Sequence, residues 1–271
     1  MKQQTDKQAQ KNGTAVLDIV YYTDPLCCWS WAFEPQWRRL RYEYGSQINW
    51  RYCMGGLLAD WSKYNDPLNA ISRPVQMGPL WFEAKHMSGM PIADRIWMED
   101  PPASSYPACI AVKCAALQSA EAEELYLRKL REAVMLHTKN IARQPVLIAV
   151  AEEVAHALPG KLDFEQFKKD IQQGAGNEAF REDLKKTSYH QISRFPTLTI
   201  SRNGAKGIMI VGYRPYKILM QAISIIAPDL TPVRDLTDTA DYIRYWNGAT
   251  DREVAEVAER NERVQNAAPT I

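Results

Sequence analysis

The stretch from Tyr21 to Pro35 constrains the fold more than any other part of this chain. It reads Tyr-Tyr-Thr-Asp-Pro-Leu-Cys-Cys-Trp-Ser-Trp-Ala-Phe-Glu-Pro, so an apolar strand leads through a short turn into an aromatic helix. Cys27 falls where this helix begins, and the unpaired N–H groups and dipole of a helix N-terminus stabilise a thiolate. The pattern predicts a nucleophilic cysteine, but Ser30 stands where a dithiol motif would have its second cysteine.

The hydrophobic pattern extends this stretch into an alternation of strands and helices. A helix is predicted over Trp31–Tyr44 and a closing helix over Arg214–Ile226. Strands are predicted at Val16–Tyr22, Gln47–Met54, Pro196–Ser201 and Gly207–Val211. The first two strands flank a crossover helix and are expected to be parallel, whereas the last two form a hairpin.

A large and mostly helical insertion is predicted between the second strand and the hairpin. Residues 57–102 are rich in Pro, Trp and Met with weak periodicity, so we expect an irregular segment that lines a site or packs its own aromatic side chains. Helical patterns follow at Ser104–Ser119, Ala122–His137, Gln144–Leu158, Phe164–Gln172 and Asn177–Lys186.

Composition limits the partners and the compartment. A net charge of +1 over 271 residues gives no bulk attraction to nucleic acid or to an acidic membrane. The apolar runs are far shorter than a membrane span, and the polar N-terminus lacks the apolar core of a secretory signal. We therefore expect a cytoplasmic protein without a nucleic-acid or membrane partner.

The five cysteines predict neither a disulfide scaffold nor a metal site. Their odd number argues against a scaffold, and Cys109 and Cys114 would lie too far apart on one helix to form a bridge. No Cys/His spacing matches a zinc site, so we expect no metal. Cys109 and Cys114 are expected to pack inside the insertion. Cys53 is expected near the active loop, as a core residue or as an alternative resolving thiol.

Five motifs in this order resemble the thioredoxin fold, and within it the DsbA-like family with a helical insertion. They are Asp24-Pro25-Leu26-Cys27-Cys28-Trp29-Ser30-Trp31, Met54-Gly55-Gly56-Leu57, Ser104-Ser105-Tyr106-Pro107-Ala108, Arg194-Phe195-Pro196-Thr197 and Gly212-Tyr213-Arg214-Pro215. The resemblance covers roughly Val16–Pro228. It implies an α/β, thioredoxin-like fold with a large inserted helical subdomain and a C-terminal helical tail.

The resemblance also implies a domain organisation. We expect a disordered tail at 1–14, a thioredoxin-like domain from 15–56 and 191–228, an inserted helical subdomain at 57–190 and a helical extension at 229–271. Within the extension, the sequence predicts helices at Thr239–Trp246 and Asp251–Val264.

By this resemblance, Cys27 is the attacking cysteine and Pro196 is the cis-proline of the family, which faces it. A cis X-Pro bond would expose the backbone edge of Phe195 and Pro196 to a bound peptide or thiol. Cys28 and Trp29 join this edge as the expected substrate-binding residues. The other interpretation of Pro196 is an ordinary proline at the first position of a strand.

Ser30 departs from the two-cysteine motif of the family. Serine cannot attack a mixed disulfide, so dithiol oxidation through Cys27 and Ser30 is excluded, although Ser30 can donate a hydrogen bond to the sulfur. Cys28 is a poor resolving thiol because a disulfide between adjacent cysteines is strained. The catalytic pair is therefore predicted to be Cys27 and Ser30, with no tightly bound cofactor and with glutathione as a candidate co-substrate.

Three functions remain open. The first is a DsbA-like thiol-disulfide oxidoreductase or isomerase that acts through Cys27 on a protein or small-molecule thiol. The second follows from Ser30-Trp31, which resembles the motif of kappa-type glutathione transferases and related isomerases. The third is a non-catalytic thioredoxin-like adaptor that delivers proteins to a protease, which suits the missing second cysteine. The aromatic insertion also suits a homodimer if it leaves an apolar patch.

Overall fold

The computed structural model describes residues 16–236 and 238–258. The predicted disordered tail at 1–14 lies outside the described residues, as does the end of the last predicted helix beyond residue 258. The strands are β1 (Leu17–Thr23), β2 (Ile48–Met54), β3 (Thr197–Ser201) and β4 (Ile208–Val211). All four predicted strands are confirmed to within two residues at each end.

Helices account for most of the remaining described chain. They are α1 (Cys28–Ala32), α2 (Glu34–Tyr44), α3 (Met77–Ser88), α4 (Ile96–Glu99), α5 (Tyr106–Gln118), α6 (Ala120–Met135), α7 (Gln144–Ala157), α8 (Phe164–Gln173), α9 (Asn177–Tyr189), α10 (Tyr216–Ile226) and α11 (Thr239–Trp246). Residues 251–258 are also helical. No helix in this described part of the chain is long and apolar enough to span a membrane.

The strands form one sheet in the order β2-β1-β3-β4. The Val16 N–H donates to the Gln47 carbonyl where β1 and β2 begin, and the Gly55 N–H donates to the Thr23 carbonyl where they end. Start therefore pairs with start and end with end, so β1 and β2 are parallel, as predicted. β3 and β4 pair antiparallel, which confirms the hairpin and the α/β class.

The chain divides into two compact units. The first contains the chain up to Tyr21, Phe33–Tyr52 and the chain from Pro196 onward, whereas the second contains Tyr22–Ala32 and Cys53–Phe195. The turn that carries Cys27 therefore belongs to the helix-rich second unit. The domain boundaries expected from the sequence stay a prediction.

Aromatic side chains form the core of the first unit. The rings of Trp37 and Tyr52 lie 5.1 and 5.6 Å from the ring of Tyr21, and the Trp37 indole N–H donates to the Tyr52 hydroxyl over 3.0 Å. Phe33 meets Tyr21 edge-on at 5.9 Å. Phe33 and Trp37 are buried, as the predicted apolar helix face requires.

The single helix predicted over Trp31–Tyr44 is wrong, because α1 ends at Ala32 and α2 begins at Glu34. Pro35 lies in the first turn of α2. Its ring nitrogen has no N–H to donate, so the hydrogen-bond ladder of α1 cannot continue through it. The helix that follows Cys27 is therefore only five residues long.

The expectation of an irregular 57–102 segment is also wrong in part, because the segment contains α3 and α4. Gly78 and Pro79 stand in the first turn of α3, where proline is tolerated but weakens a sequence-based helix assignment. Phe82 and Met87 are 65% and 59% exposed. Apolar residues on the solvent side hide the amphipathic period, which explains why the sequence pattern does not predict α3.

The C-terminal extension packs on α2 within the first unit. Tyr42 joins Leu236, Tyr242 and Val257 in a buried cluster. α11 has the bounds that the sequence predicts. A buried ion pair adds to this contact, since Arg38 Nη1 lies 3.0 Å from Glu253 Oε1.

Candidate functional site

Cys27 occupies the position immediately before α1. Its N–H donates to the Asp24 carbonyl over 3.1 Å, and its own carbonyl accepts from the Trp31 N–H over 3.1 Å. The turn Asp24–Cys27 thus leads directly into the first helical hydrogen bond. The predicted placement of Cys27 at a helix N-terminus is confirmed, although that helix is a little more than one turn long.

The Cys27 sulfur makes two hydrogen bonds. It donates to the Phe195 carbonyl over 3.5 Å and accepts from the Ser30 N–H over 3.4 Å. The side chain is 5% exposed. The structure therefore brings together Cys27, Ser30 and Phe195, three of the residues that the resemblance assigns to the site.

Burial raises the pKa of the Cys27 thiol above its ordinary value. The Ser30 hydroxyl and N–H lower this pKa, Asp24 raises it and Arg131 lowers it, but burial is the largest contribution. This direction is opposite to the one expected for a thiolate stabilised at a helix start, and the reactivity of Cys27 stays a prediction. A five-residue helix has a small dipole, and it does not offset the cost of placing a charged sulfur away from water.

The remaining predicted site residues differ in exposure. Cys28 is 2% exposed, and burial raises the pKa of its thiol well above the ordinary range. Trp29 and Phe195 are half-buried, and Pro196 is buried. The cis geometry of Pro196 stays a prediction.

The other cysteines belong to the interior of the second unit. Cys53 is fully buried, and its thiol donates to the Asp183 carbonyl on α9 over 3.5 Å. Cys109 and Cys114 lie on α5 and are fully buried, as predicted. None of the five cysteines is joined in a disulfide. Among the residues that the structure describes, no cluster of His, Cys, Asp and Glu could hold a metal ion.

Asp24 is the structural centre of the site, a role that the sequence analysis did not assign to it. Its Oδ1 accepts from the Leu26 N–H over 2.8 Å. Its Oδ2 accepts from the Leu57 N–H, the Ser105 hydroxyl and the Cys109 thiol over 2.7, 2.8 and 3.2 Å. One carboxylate thus joins the cysteine turn, the Gly-Gly-Leu loop and the start of α5. The sequence did contain a signal for this role, because Asp24 is the only acidic residue in the three motifs that it joins.

The charge of Asp24 is unusual for its environment. The side chain is fully buried, and burial raises its pKa despite the four hydrogen bonds, each of which lowers it. Arg131 is fully buried on α6, and its guanidinium donates to the Thr23 hydroxyl next to Asp24. This cation lowers the pKa of Cys27, so it is part of the electrostatic environment of the site.

Gly55 sets the position of Phe195. A Cβ on Gly55 would lie 1.8 Å from the Phe195 ring, closer than any side chain tolerates. The Gly55 N–H also continues the pairing of β2 with β1 through the Thr23 carbonyl over 2.7 Å. The Phe195 ring therefore packs directly against the Gly55 backbone. In this position the Phe195 carbonyl accepts the hydrogen bond from Cys27.

Aromatic residues of the 57–102 segment pack together in the second unit. Trp61 meets Tyr64 and Trp97 edge-on at 5.2 and 6.0 Å, and Trp97 meets Trp81 at 5.2 Å. Burial raises the pKa of Tyr64 to about 12, with smaller contributions from Asp66, Cys27 and Cys28. The segment thus packs its own aromatic side chains, and it also contacts α1, because its Pro91 carbonyl accepts from the Trp31 indole N–H over 2.9 Å.

Large apolar side chains remain exposed on the same segment. α3 packs against α1, and it presents Phe82 and Met87 to solvent. The exposed large hydrophobic residues of the segment are Leu68, Val75, Phe82, Met87 and Met98. These side chains are candidate anchors for a partner, because exposed apolar area of this kind marks a binding surface where it is contiguous.

Comparison with known proteins agrees with this architecture. A family model described as thioredoxin matches residues 21–221. The ClpXP adapter protein SpxH of Halalkalibacterium halodurans is 31% identical over 220 residues, covering 80% of this chain and 70% of that protein.

Two solved structures share the fold at low sequence identity. A candidate protein disulfide isomerase from Nitrosomonas europaea has a TM-score of 0.65 at 20% identity and covers 78% of this chain and 97% of its own. The cytosolic disulfide reductase DsbM from Pseudomonas aeruginosa has a TM-score of 0.59 at 17% identity and covers 77% and 99%. The chain belongs to the thioredoxin family and has the fold of its DsbA-like members.

Proposed function

We propose that this chain is an adaptor that binds a client protein and presents it to the protease ClpXP, without redox catalysis at Cys27. The observation that carries the proposal is the state of the Cys27 sulfur, which is a buried thiol that donates to the Phe195 carbonyl. The name of the 31% identical relative supports the same function.

Thiol-disulfide exchange needs two steps, and this site is poorly suited to both. The attacking group must be a thiolate, but burial raises the pKa of Cys27. A resolving thiol must then attack the mixed disulfide, but Ser30 has none. Cys28 and Cys53 are buried thiols, so they are poor substitutes. The geometry therefore favours binding over turnover.

The client surface is proposed to be the solvent-exposed side of α3, which includes Phe82 and Met87. Phe82 and Met87 lie on this helix with most of their area in water, and α3 packs against α1, which follows Cys27. Apolar side chains of this size are typical anchors in protein interfaces. A protein client is therefore favoured over a small-molecule substrate.

Reconstituted delivery tests the proposal. Proteins captured from a lysate are identified by mass spectrometry, and degradation of the most enriched one by purified ClpXP is timed with and without the chain. We expect the chain to accelerate degradation, and we expect Cys27→Ser to accelerate it equally. No acceleration by the wild-type chain, or loss of acceleration in Cys27→Ser, would contradict the proposal.

A surface variant tests where the client binds. The double variant Phe82→Ser, Met87→Ser is expected to lose capture of the client, because it removes the apolar area that the client would cover. Leu117→Ser is the matched control, since Leu117 is 55% exposed on α5. Equal capture by the wild type and both variants would place the client elsewhere.

Single-thiol exchange with glutathione is the second candidate, favoured by the Ser30 N–H directed at the Cys27 sulfur. A Cys27 thiolate would attack a disulfide R–S–S–R′ and release R′–S⁻. The glutathione thiolate would then attack the R sulfur, leaving R–S–S–glutathione and free Cys27. Glutathione-dependent turnover of a disulfide that Cys27→Ser abolishes would favour this candidate over the adaptor.

The cytoplasm is the proposed compartment for either function. None of the five cysteines forms a disulfide in the described structure, which is typical of proteins kept under reducing conditions. Cells are lysed in denaturant with a thiol-alkylating reagent present. The reagent should label all five cysteines, because unfolding exposes their thiols. Recovery of disulfide-linked chain would contradict this part of the proposal.

A further inference from the structure

A cavity separate from the Cys27 site lies in the first unit, where α2, the start of α10 and the C-terminal helical residues meet. It has a volume of about 510 Å³, within the range of sites for small ligands. Its walls include Gln36, Tyr213, Lys217, Met220 and Arg252. The Gly212-Tyr213-Arg214-Pro215 motif, which the Cys27 site does not explain, contributes two of its residues to this wall.

Gln36 carries a buried acceptor that the described residues leave open. Its side chain is 3% exposed, and its Oε1 has no hydrogen-bond partner in the described part of the chain. The Nε2 donates to the Tyr213 hydroxyl over 3.5 Å. Exchanging the amide oxygen and nitrogen would only leave the other atom unpaired. Because Gln36 lines the cavity, a ligand N–H would satisfy this oxygen once the side chain turns toward the ligand.

The start of α10 supplies positive potential to the same cavity. Pro215 precedes the helix without a side-chain cap, and the first turn contains no acidic residue. The N–H groups of an uncapped helix start attract an anion. Lys217 lies in this turn and lines the cavity. A carboxylate would therefore be stabilised at this end.

The carboxylates of the cavity do not cancel this potential, because arginines already hold them. Arg39 lies 3.6 Å from Glu43 and 3.2 Å from Glu256. Arg252 lies 2.8 Å from Glu256. The Tyr216 hydroxyl also donates to Glu43. The lining residues Arg39, Lys217 and Arg252 outnumber Glu43 and Glu256, so the cavity carries an excess of one positive charge.

We propose that this cavity binds the carboxyl end of a peptide. The terminal carboxylate lies against Lys217 and the α10 N–H groups, and the preceding peptide N–H donates to Gln36. Met220 and Pro232, which also line the cavity, contact the side chain of the last residue. The proposal does not depend on the adaptor function or on Cys27.

Calorimetric titration of the whole chain with N-acetyl-alanyl-alanine tests the proposal. We expect saturable binding that becomes about tenfold weaker for the C-terminal amide of the same peptide, because a hydrogen-bonded charge is lost. Lys217→Gln should cause a similar loss. Lys206→Gln is the matched control, an exposed lysine of the same unit, and should bind like the wild type.

Gln36→Met tests the amide contact at nearly constant side-chain volume. It should weaken binding of the peptide but leave binding of acetate unchanged. Thermal unfolding checks that the variant is folded. The proposal is overturned if the peptide and its amide bind equally, if acetate binds as tightly as the peptide, or if no saturable binding is found.

Discussion

Asp24 and Cys27 lie in one turn, yet the chain uses them differently. Both are buried, and burial raises the pKa of each. Asp24 accepts four hydrogen bonds and joins three distant segments. The Cys27 sulfur contacts only the Phe195 carbonyl outside its own turn and helix start among the hydrogen bonds given above. Asp24 therefore keeps a full set of hydrogen bonds that hold the turn together. Cys27, by contrast, has no resolving thiol beside it, because residue 30 is a serine.

Removing the architectural residue should have the largest effect. Asp24→Ala removes the acceptor of four hydrogen bonds, most of them buried, so we expect the free energy of unfolding to fall by about 3–5 kcal/mol. Urea unfolding at neutral pH measures this change. Asp94→Ala is the control, because Asp94 is exposed in the same unit, and it should change stability by less than about 0.5 kcal/mol. A similar small change for Asp24→Ala would refute the assigned role.

A methyl group on Gly55 should have a smaller but clear effect. Gly55→Ala forces the Phe195 ring to move, so we expect destabilisation of about 1–3 kcal/mol and a displaced Phe195 carbonyl. Gly78→Ala is the matched control in α3, since its Cβ would meet nothing within 4 Å. The control should be neutral or stabilised by up to about 1 kcal/mol. Equal unfolding midpoints for the two variants would show that Phe195 is free to move.

Introducing a second thiol at position 30 tests whether the site lacks only the resolving cysteine of a dithiol motif. In Ser30→Cys, the new sulfur lies one helical turn from Cys27, so mild oxidation should join the introduced thiol to Cys27 in a disulfide with little change in stability. Intact-mass measurement would show the loss of one hydrogen from each thiol, and an insulin reduction assay would show turnover that stays slow at neutral pH and rises at higher pH, because burial raises the pKa of Cys27. The same substitution in a Cys27→Ser background should show neither. Failure to form the disulfide would mean that the architecture has also diverged.

Much of the fold followed from the sequence because its signals are local. The strand alternation and the helical periods of α5–α9 predict their elements to within a few residues. The pattern does not predict α3, because Phe82 faces water. It merges α1 with α2, because the break between Ala32 and Glu34 leaves the apolar pattern unchanged. The α3 error arises where tertiary contacts override the local pattern, whereas the α1–α2 error arises because Pro35 has no N–H to continue the helix.

The site followed from the sequence only in part. The motif placed Cys27 at a helix start, and the resemblance placed Phe195 near it, which the hydrogen bond between them bears out. The pKa of Cys27 could not be predicted, because it depends on burial by residues distant in sequence. The roles of Asp24 and Gly55 were missed for the same reason, since each acts across more than thirty residues of chain.

The pH dependence of Cys27 alkylation tests the central claim most directly. Iodoacetamide labelling of the native chain, followed by peptide mass spectrometry, gives the apparent pKa of this thiol. Because burial raises the pKa, we expect labelling to stay slow at neutral pH and to rise only above the ordinary thiol range. Ser30→Ala should raise the apparent pKa slightly further, since the Ser30 hydroxyl lowers it. An apparent pKa below the ordinary value would contradict the account and identify Cys27 as an activated nucleophile.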